Sequence, residues 1–189
     1  MSPWVFDALI VCGAVLLWLL LIWLALRGWR KRGRAQAELL GELPTAPAEL
    51  GELLDGPDSG VYVGSTLAPT WATRVAVGDF GDRAQVRYSR YAAGILLTRA
   101  GASDIWIPQE AITAVRTENG HAGKVMSRDG VLAIRWRLPS GVELDSGIRG
   151  DDKSVYPTWT AAYADVTAQT RNELDAADAA GTETKRKKS

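Results

Sequence analysis

From Ala8 to Leu26 the chain runs for 19 residues, ALIVCGAVLLWLLLIWLAL, without a charged side chain. Coiled as a helix, that run spans about 28 Å at ~1.5 Å per residue, close to the ~30 Å hydrocarbon thickness of a bilayer. Apolar residues occur on every side, so no face is left for water. The segment before it, MSPWVFD, has no Lys or Arg, and bulky Leu, Arg and Trp follow it. A cleaved signal peptide needs a basic start, a shorter apolar core and a small-residue cleavage site. The run therefore reads as an uncleaved, single-pass transmembrane anchor. Trp4 before it and Trp29 after it stand where interfacial aromatic belts fall. Cys12 inside it reads as a small packing residue.

Charge gives the anchor a direction. Of 22 basic groups, five (Arg27, Arg30, Lys31, Arg32 and Arg34) lie at or just after its C-terminal end, and Asp7 is the one acid in residues 1–34. Lys and Arg are retained on the cytoplasmic side. The expectation is a plasma-membrane protein with its N-terminus outside and everything after Arg27 in the cytoplasm. Residues 35–189 then hold 17 basic and 21 acidic groups, a net charge of −4. Such a balance speaks against nucleic acid as a partner. A single Cys and a single His exclude an intramolecular disulfide framework and a zinc cluster.

The segment 35–59 is rich in Ala, Glu and Leu but interrupted by Pro44, Pro47, Pro57 and glycines. It reads as a short helical extension and then an acidic linker, with Leu39, Leu40, Leu43, Leu50, Leu53 and Leu54 available for packing. From Gly60 the pattern shortens. Gly60–Thr66 is strand-like. Ala84, Val86 and Tyr88 alternate with Arg83, Gln85, Arg87 and Ser89, the period of a half-buried strand. Gly94–Arg99, Ser103–Pro108 and Ile112–Glu118 follow. Leu132, Ile134, Trp136 and Leu138 alternate most clearly of all, and Val142–Gly147 pairs back after a Pro-Ser-Gly turn. Trp159, Tyr163, Val166, Thr170 and Leu174 recur at helical spacing, with Pro157 suited to the first turn.

The expected division is an anchor with a basic collar over 1–34, a linker over 35–59, a folded domain over 60–180 and a disordered basic tail over 181–189. The fold class is mainly β with α. About seven antiparallel strands form a barrel or sandwich, capped by one C-terminal helix.

That plan, with its local strings, resembles the actinobacterial membrane-anchored proteins that carry a pleckstrin-homology-like (PH-like) domain. The strings are Tyr62-Val63-Gly64-Ser65-Thr66, Trp71 with Arg74, Gly94-Ile95 leading to Arg99-Ala100-Gly101-Ala102, Ile107-Pro108 with Ile112 and Val115, Ala122-Gly123-Lys124-Val125, Arg135-Trp136 and Leu144-Asp145-Ser146-Gly147-Ile148-Arg149. The resemblance runs from about Ala8 to Val166. Ser65, Ser146 and Ile148 stand where the pattern has Thr, Thr and Phe. The resemblance implies a membrane setting and no particular reaction or cofactor.

The residues themselves offer little catalytic chemistry. Asp145-Ser146-Gly147 matches the core of aspartic proteases, whose mechanism needs a second carboxylate sharing the proton. Gly123-Lys124 lacks the first Gly and the metal-binding hydroxyl of a phosphate loop. Gly101-Ala102-Ser103-Asp104-Ile105 lacks the last Gly of a nucleophile elbow. Asp151-Asp152 reads as a solvated turn and His121 as a solvent-facing loop residue. The expectation is no enzyme, no metal and no cofactor.

Arg83 and Arg87 share the polar face of one strand. With Arg90 and Lys124 they are the candidate contacts to anionic lipid or to a partner. The KRKK tail is a further basic patch. Three functions are compatible with these residues: a membrane-tethered interaction domain that takes a protein partner, a peptide strand at a barrel edge or in the groove beside the helix; an accessory subunit of a transport or export complex; and a peripheral binder of anionic lipid.

Overall fold

The computed structural model describes the backbone of residues 3–70, 73–125 and 130–186, and the side chains of residues 11–28, 37–70, 73–123, 130–173, 175 and 176. The chain divides into two compact units, Met1–Glu38 and Leu39–Ser189. A long helix, α1 (Pro3–Leu40), makes up the first. Its window Val11–Gly28 has a mean hydropathy of 2.1 and none of it is buried, so its apolar side chains have no protein core to enter.

Among the described residues the second unit holds nine strands: β1 (Leu53–Leu67), β2 (Ala84–Tyr91), β3 (Gly94–Arg99), β4 (Ile105–Pro108), β5 (Ile112–Glu118), β6 (Gly120–His121), β7 (Lys124–Val125), β8 (Val131–Arg137) and β9 (Glu143–Gly150). Seven form one antiparallel sheet in the order β4-β3-β2-β1-β9-β8-β5, and β6 and β7 pair separately. Two helices follow, α2 (Tyr156–Ala161) and α3 (Ala164–Arg186). This is an open, sandwich-like antiparallel sheet with helices at its C-terminal end.

Strand period decides what the core contains. Leu132, Ile134 and Trp136 on β8 face Ile148, Ser146 and Leu144 on β9, and all six are fully buried. Val86 and Tyr88 of β2 and Tyr62 of β1 extend the same layer. A chain of hydroxyls crosses it. The Trp136 indole N–H donates to Ser146 Oγ at 3.0 Å, Ser146 and Ser65 are 2.6 Å apart, Ser65 and Tyr62 OH are 2.7 Å apart, and Tyr62 OH donates to the Phe80 carbonyl at 2.7 Å. An indole can only donate and a carbonyl can only accept. Each hydroxyl therefore passes one hydrogen bond onward from Trp136 to Phe80, so Ser146, Ser65 and Tyr62 all have partners. Burial also pushes the Tyr62 phenol well above its ordinary pKa, so it keeps the proton it donates.

Three segments differ from the sequence reading. Strand β1 begins at Leu53, so the last part of the expected linker already pairs with β2. Leu40 is fully buried and Leu43 packs partly against the core, whereas Leu39, Leu53 and Leu54 stay exposed. The single closing helix is two. They are separated by a tightened turn in which the Tyr163 N–H bonds to the Thr160 carbonyl at 3.3 Å, and α3 continues to Arg186. The helical stripe survives the break. Trp159 and Tyr163 are buried, and the Trp159 ring packs at a 55° tilt against Tyr88, centroids 5.1 Å apart, while its indole N–H reaches Asp58 at 2.9 Å. The side chain of Leu174 lies outside the described residues.

Candidate functional site

Direct cross-strand partners point to the same side of a sheet. Gln85 of β2 faces Val61 of β1, and Val61 faces Arg149 of β9. Arg87, two residues after Gln85, shares that side by the strand period, and Arg83, just before β2, lines the same hollow as Gln85 and Arg149. The three arginines are exposed on the outer face of the sheet. Arg83, Gln85 and Arg149 wall a hollow of about 340 Å³ floored by Val61 and Ala84. A second hollow, of about 350 Å³, adjoins it through Gln85 and includes Arg87, Ser59 and Thr98. Among the described residues no ion pair engages Arg83, Arg87 or Arg149. Two carboxylates border the patch. Asp82 precedes Arg83 in the chain, and Asp151 accepts a hydrogen bond from Ser59 Oγ at 2.8 Å.

Arg90 belongs elsewhere. Its guanidinium pairs with Asp55 and lies 5.9 Å from the centre of the Tyr163 ring. That pairing takes it out of the set proposed from sequence, and the signal was available: 90 has the opposite parity to 83 and 87. Arg149 was missed because the last strand was ended at Gly147, three residues short. Lys124 opens β7, but its side chain lies outside the described residues, as do those of Trp4, Trp29, Arg30, Lys31, Arg32 and Arg34. Arg27 is described, with its guanidinium 5.4 Å from the Trp23 ring centre.

Further along the same face, the arginines are ion-paired. Asp145, 3% exposed, receives Nη1 and Nη2 of Arg116 at 3.1 Å each, and Nε and Nη2 of Arg135 at 3.0 and 2.7 Å. Arg116 also donates to Glu118 at 2.7 Å. Burial alone would raise the Asp145 carboxyl, but the hydrogen bonds and charges of the two guanidiniums outweigh it and hold it below its ordinary range. Both oxygens already accept guanidinium N–H groups, so Asp145 holds the two arginines together and does not face a second carboxylate in the way the protease reading of Asp-Ser-Gly requires.

His121 is not a solvent-facing loop residue. It is 2% exposed, and its Nε2 lies 2.9 Å from the Gly64 carbonyl, so Nε2 carries the hydrogen. Its ring covers Gly147, where a Cβ would stand 2.3 Å from Cδ2; only glycine admits the imidazole there. The two-residue turn Ala122–Gly123, both at positive φ, folds β6 back on β7 and sets this ring on the sheet. Burial lowers the imidazole pKa, and the Gly64 carbonyl and Asp145 oppose it only in part. Gly123-Lys124 thus sits in a hairpin rather than between a strand and a helix, so it is no phosphate loop. Ser103 lies in the turn between β3 and β4, where its N–H bonds to Asp79 at 2.6 Å.

The sheet has two outer edges, β4 and β5. β4 is four residues long and ends in Pro108. At β5, Thr167 Oγ1 of α3 takes the Val115 N–H at 3.0 Å and faces its carbonyl at 3.5 Å, and Thr170 donates to the Thr113 carbonyl at 2.7 Å. Strand addition expected at a barrel edge therefore meets a helix at β5 and a short, Pro-ended strand at β4. The domain leaves open its outer face and a hollow of about 590 Å³ between β5 and the closing helices, lined by Thr117, Pro157, Thr160, Ala164 and Arg171 among others.

A search of curated proteins returns no match. The family model described as Bacterial PH domain-like matches residues 40–164, a span that holds every strand of the sheet, Tyr163 and the whole arginine face. PH-like domains are typically interaction modules without catalysis, in keeping with this surface, and the chain belongs to the bacterial PH-like domain family.

Proposed function

We propose that this chain is a single-pass membrane protein that presents its PH-like domain at the cytoplasmic face of the plasma membrane as an interaction module. The observation that carries this reading is the helix window Val11–Gly28, apolar on all sides, unburied, and followed by Arg30, Lys31, Arg32 and Arg34. An exposed helix of that character has a bilayer as its natural solvent, and the cationic collar favours retention on the inner side. Tethering raises the local concentration of the domain at the membrane, so each contact it makes is free to be weak.

The reading is tested by fusing a reporter after Ser189 and by measuring the mass of the mature protein. Cytoplasmic reporter activity and an intact N-terminus are expected. Activity only outside the membrane, or loss of the first ~30 residues as in a cleaved signal peptide, overturns it. Crosslinked capture from native membranes, with an anchor-swapped version alongside, then separates two kinds of partner. Retention by both versions marks a partner of the domain. Dependence on the native Ala8–Leu26 sequence marks an accessory subunit of a membrane complex, for which Gly13, with nothing within 4 Å of its Cβ position, offers a close-approach surface.

A further inference from the structure

We propose that the hollow between the β6–β7 hairpin and strands β5, β8 and β9 is a binding site for a free α-amino acid, held as its zwitterion. The site goes beyond the interaction-module reading and does not depend on the anchor. Its volume is about 480 Å³, and Arg116, Glu118, His121, Arg135 and Asp145 are among the residues that line it. That falls within the ~300–1,000 Å³ of small-molecule sites. Two guanidiniums and two carboxylates stand on its wall, so with a neutral imidazole its formal charge is zero. A plain anion would meet Glu118 and Asp145, and a plain cation would meet both arginines. A zwitterion offers each sign to its opposite.

Each sign has an unspent partner. Arg135 gives its Nε–Nη2 edge to Asp145, at 3.0 and 2.7 Å, and keeps its Nη1–Nη2 edge. That edge is a fork of parallel N–H donors, the shape that takes a carboxylate with two hydrogen bonds. Glu118 accepts the Arg116 Nε–H through Oε1 at 2.7 Å, and its side chain is 40% exposed, so Oε2 is open to an ammonium. His121 supplies the third contact. Its Nε2–H is committed to the Gly64 carbonyl, and its Cδ2, Cγ and Nε2 crowd the Cβ position of Gly147. The opposite ring edge, with Nδ1, therefore turns away from the sheet toward the hollow that the ring lines. With the hydrogen on Nε2, Nδ1 presents a lone pair, and no described residue donates to it. Buried polar groups are paired as a rule, yet this side chain is 2% exposed. An ammonium resting on Glu118 supplies the missing donor. Burial lowers the imidazole pKa and so keeps the acceptor free of a proton.

The test reads that acceptor directly. His121 is the one histidine in the chain. The full chain labelled with ¹⁵N-histidine, in detergent and in a buffer free of amines and carboxylates, therefore shows one protonated and one bare ring nitrogen with no assignment to make. Each of the common L-amino acids is titrated singly. At least one is expected to move the bare-nitrogen signal upfield, saturably, with the protonated one nearly unchanged. The same molecule without its amino group, and the same molecule without its carboxylate, should each need at least about tenfold more to compete, the loss of one charge-assisted contact. Glu118→Gln, at an exposed position, should raise the half-saturation concentration about tenfold and leave the near-ultraviolet circular dichroism as it was.

A signal that no amino acid moves overturns the proposal. So does equal competition by the amino-free acid, which would make a plain anion the ligand, or by the carboxylate-free amine, which would make it a cation. So does undiminished affinity in a Glu118→Gln chain that keeps its fold. Where that variant loses its fold, competition by the two analogues on the unaltered chain decides alone.

Discussion

Arg116 and Arg135 at one end of the outer sheet face, and Arg83, Arg87 and Arg149 toward the other, stand on strands of the same sheet in opposite surroundings. The first pair shares one nearly buried carboxylate, each guanidinium gripping it with two hydrogen bonds. The second set is exposed, and among the described residues no carboxylate pairs with it. A buried guanidinium without a partner is costly, whereas an exposed one keeps its water and costs little. The difference teaches that arginine content alone says nothing about ligand binding. The question is which guanidinium edges the fold has already consumed.

The comparison breaks most sharply at Asp145. Asp145→Ala strands Arg135 and leaves Arg116 with Glu118 alone, and should cost about 3–5 kcal/mol in urea unfolding of the full chain in detergent, followed by near-ultraviolet circular dichroism. A loss below ~1 kcal/mol would equate the cluster with an exposed surface pair. Ser146→Ala, one residue on and facing the other way, interrupts the hydroxyl chain and leaves the Trp136 N–H without its acceptor. It should cost about 1–3 kcal/mol by the same measurement. Thr167→Val removes the hydroxyl that serves Val115 and should cost about 1 kcal/mol, with faster hydrogen exchange at the Val115 amide as its local signature. At the far end of the scale, Arg83→Ala, Arg87→Ala and Arg149→Ala should each change stability by less than about 0.5 kcal/mol. A larger loss for any of them would show a structural partner and erase the contrast.

Acid sharpens the same contrast. The folded pKa values of Asp145, Asp79 and His121 all lie below their ordinary values: 3.8 for the two carboxyls and 6.5 for the imidazole. For Asp79, burial raises the carboxyl but the Ser103 N–H and Arg99 lower it more. In each case the unfolded chain takes up the proton first. The stabilisation is complete above the ordinary pKa and is lost as pH falls toward the folded one. The melting temperature should therefore begin to fall below pH 6.5 through His121 and fall again below 3.8 through the carboxyls. His121→Gln should remove the first decline and keep the second.

Much of the sheet was legible because strand period is a local property. Leu132, Ile134 and Trp136 mark an inward face wherever the strand ends up. The candidate site was legible in part. Parity alone separates Arg90 from Arg83 and Arg87, and continuing the Leu144-Ser146-Ile148 alternation by one step puts Arg149 on their side. The burial of His121 had no such signal. It depends on a glycine 26 residues later in the chain and on a carbonyl across the sheet, and no spacing within the hairpin encodes either. The engagement of Arg116 and Arg135 was hidden for a related reason. A lone Asp between Leu and Ser looks like any turn residue until three strands bring two guanidiniums to it.

The threonines that close β5 bear on how many copies of this chain can stand side by side. If the proposed anchor holds the domain in a membrane plane, neighbours are crowded and held in one orientation, the conditions under which an open strand edge seeds a growing ladder of backbone pairs. Thr167 and Thr170 answer the Val115 and Thr113 backbone with hydroxyls, and a hydroxyl on a helix has no further edge to offer the next molecule. The hydrogen-bond lattice ends at α3. Encounters between crowded copies on that side are left to side chains, whose attraction salt can dissolve, and the layer can stay fluid.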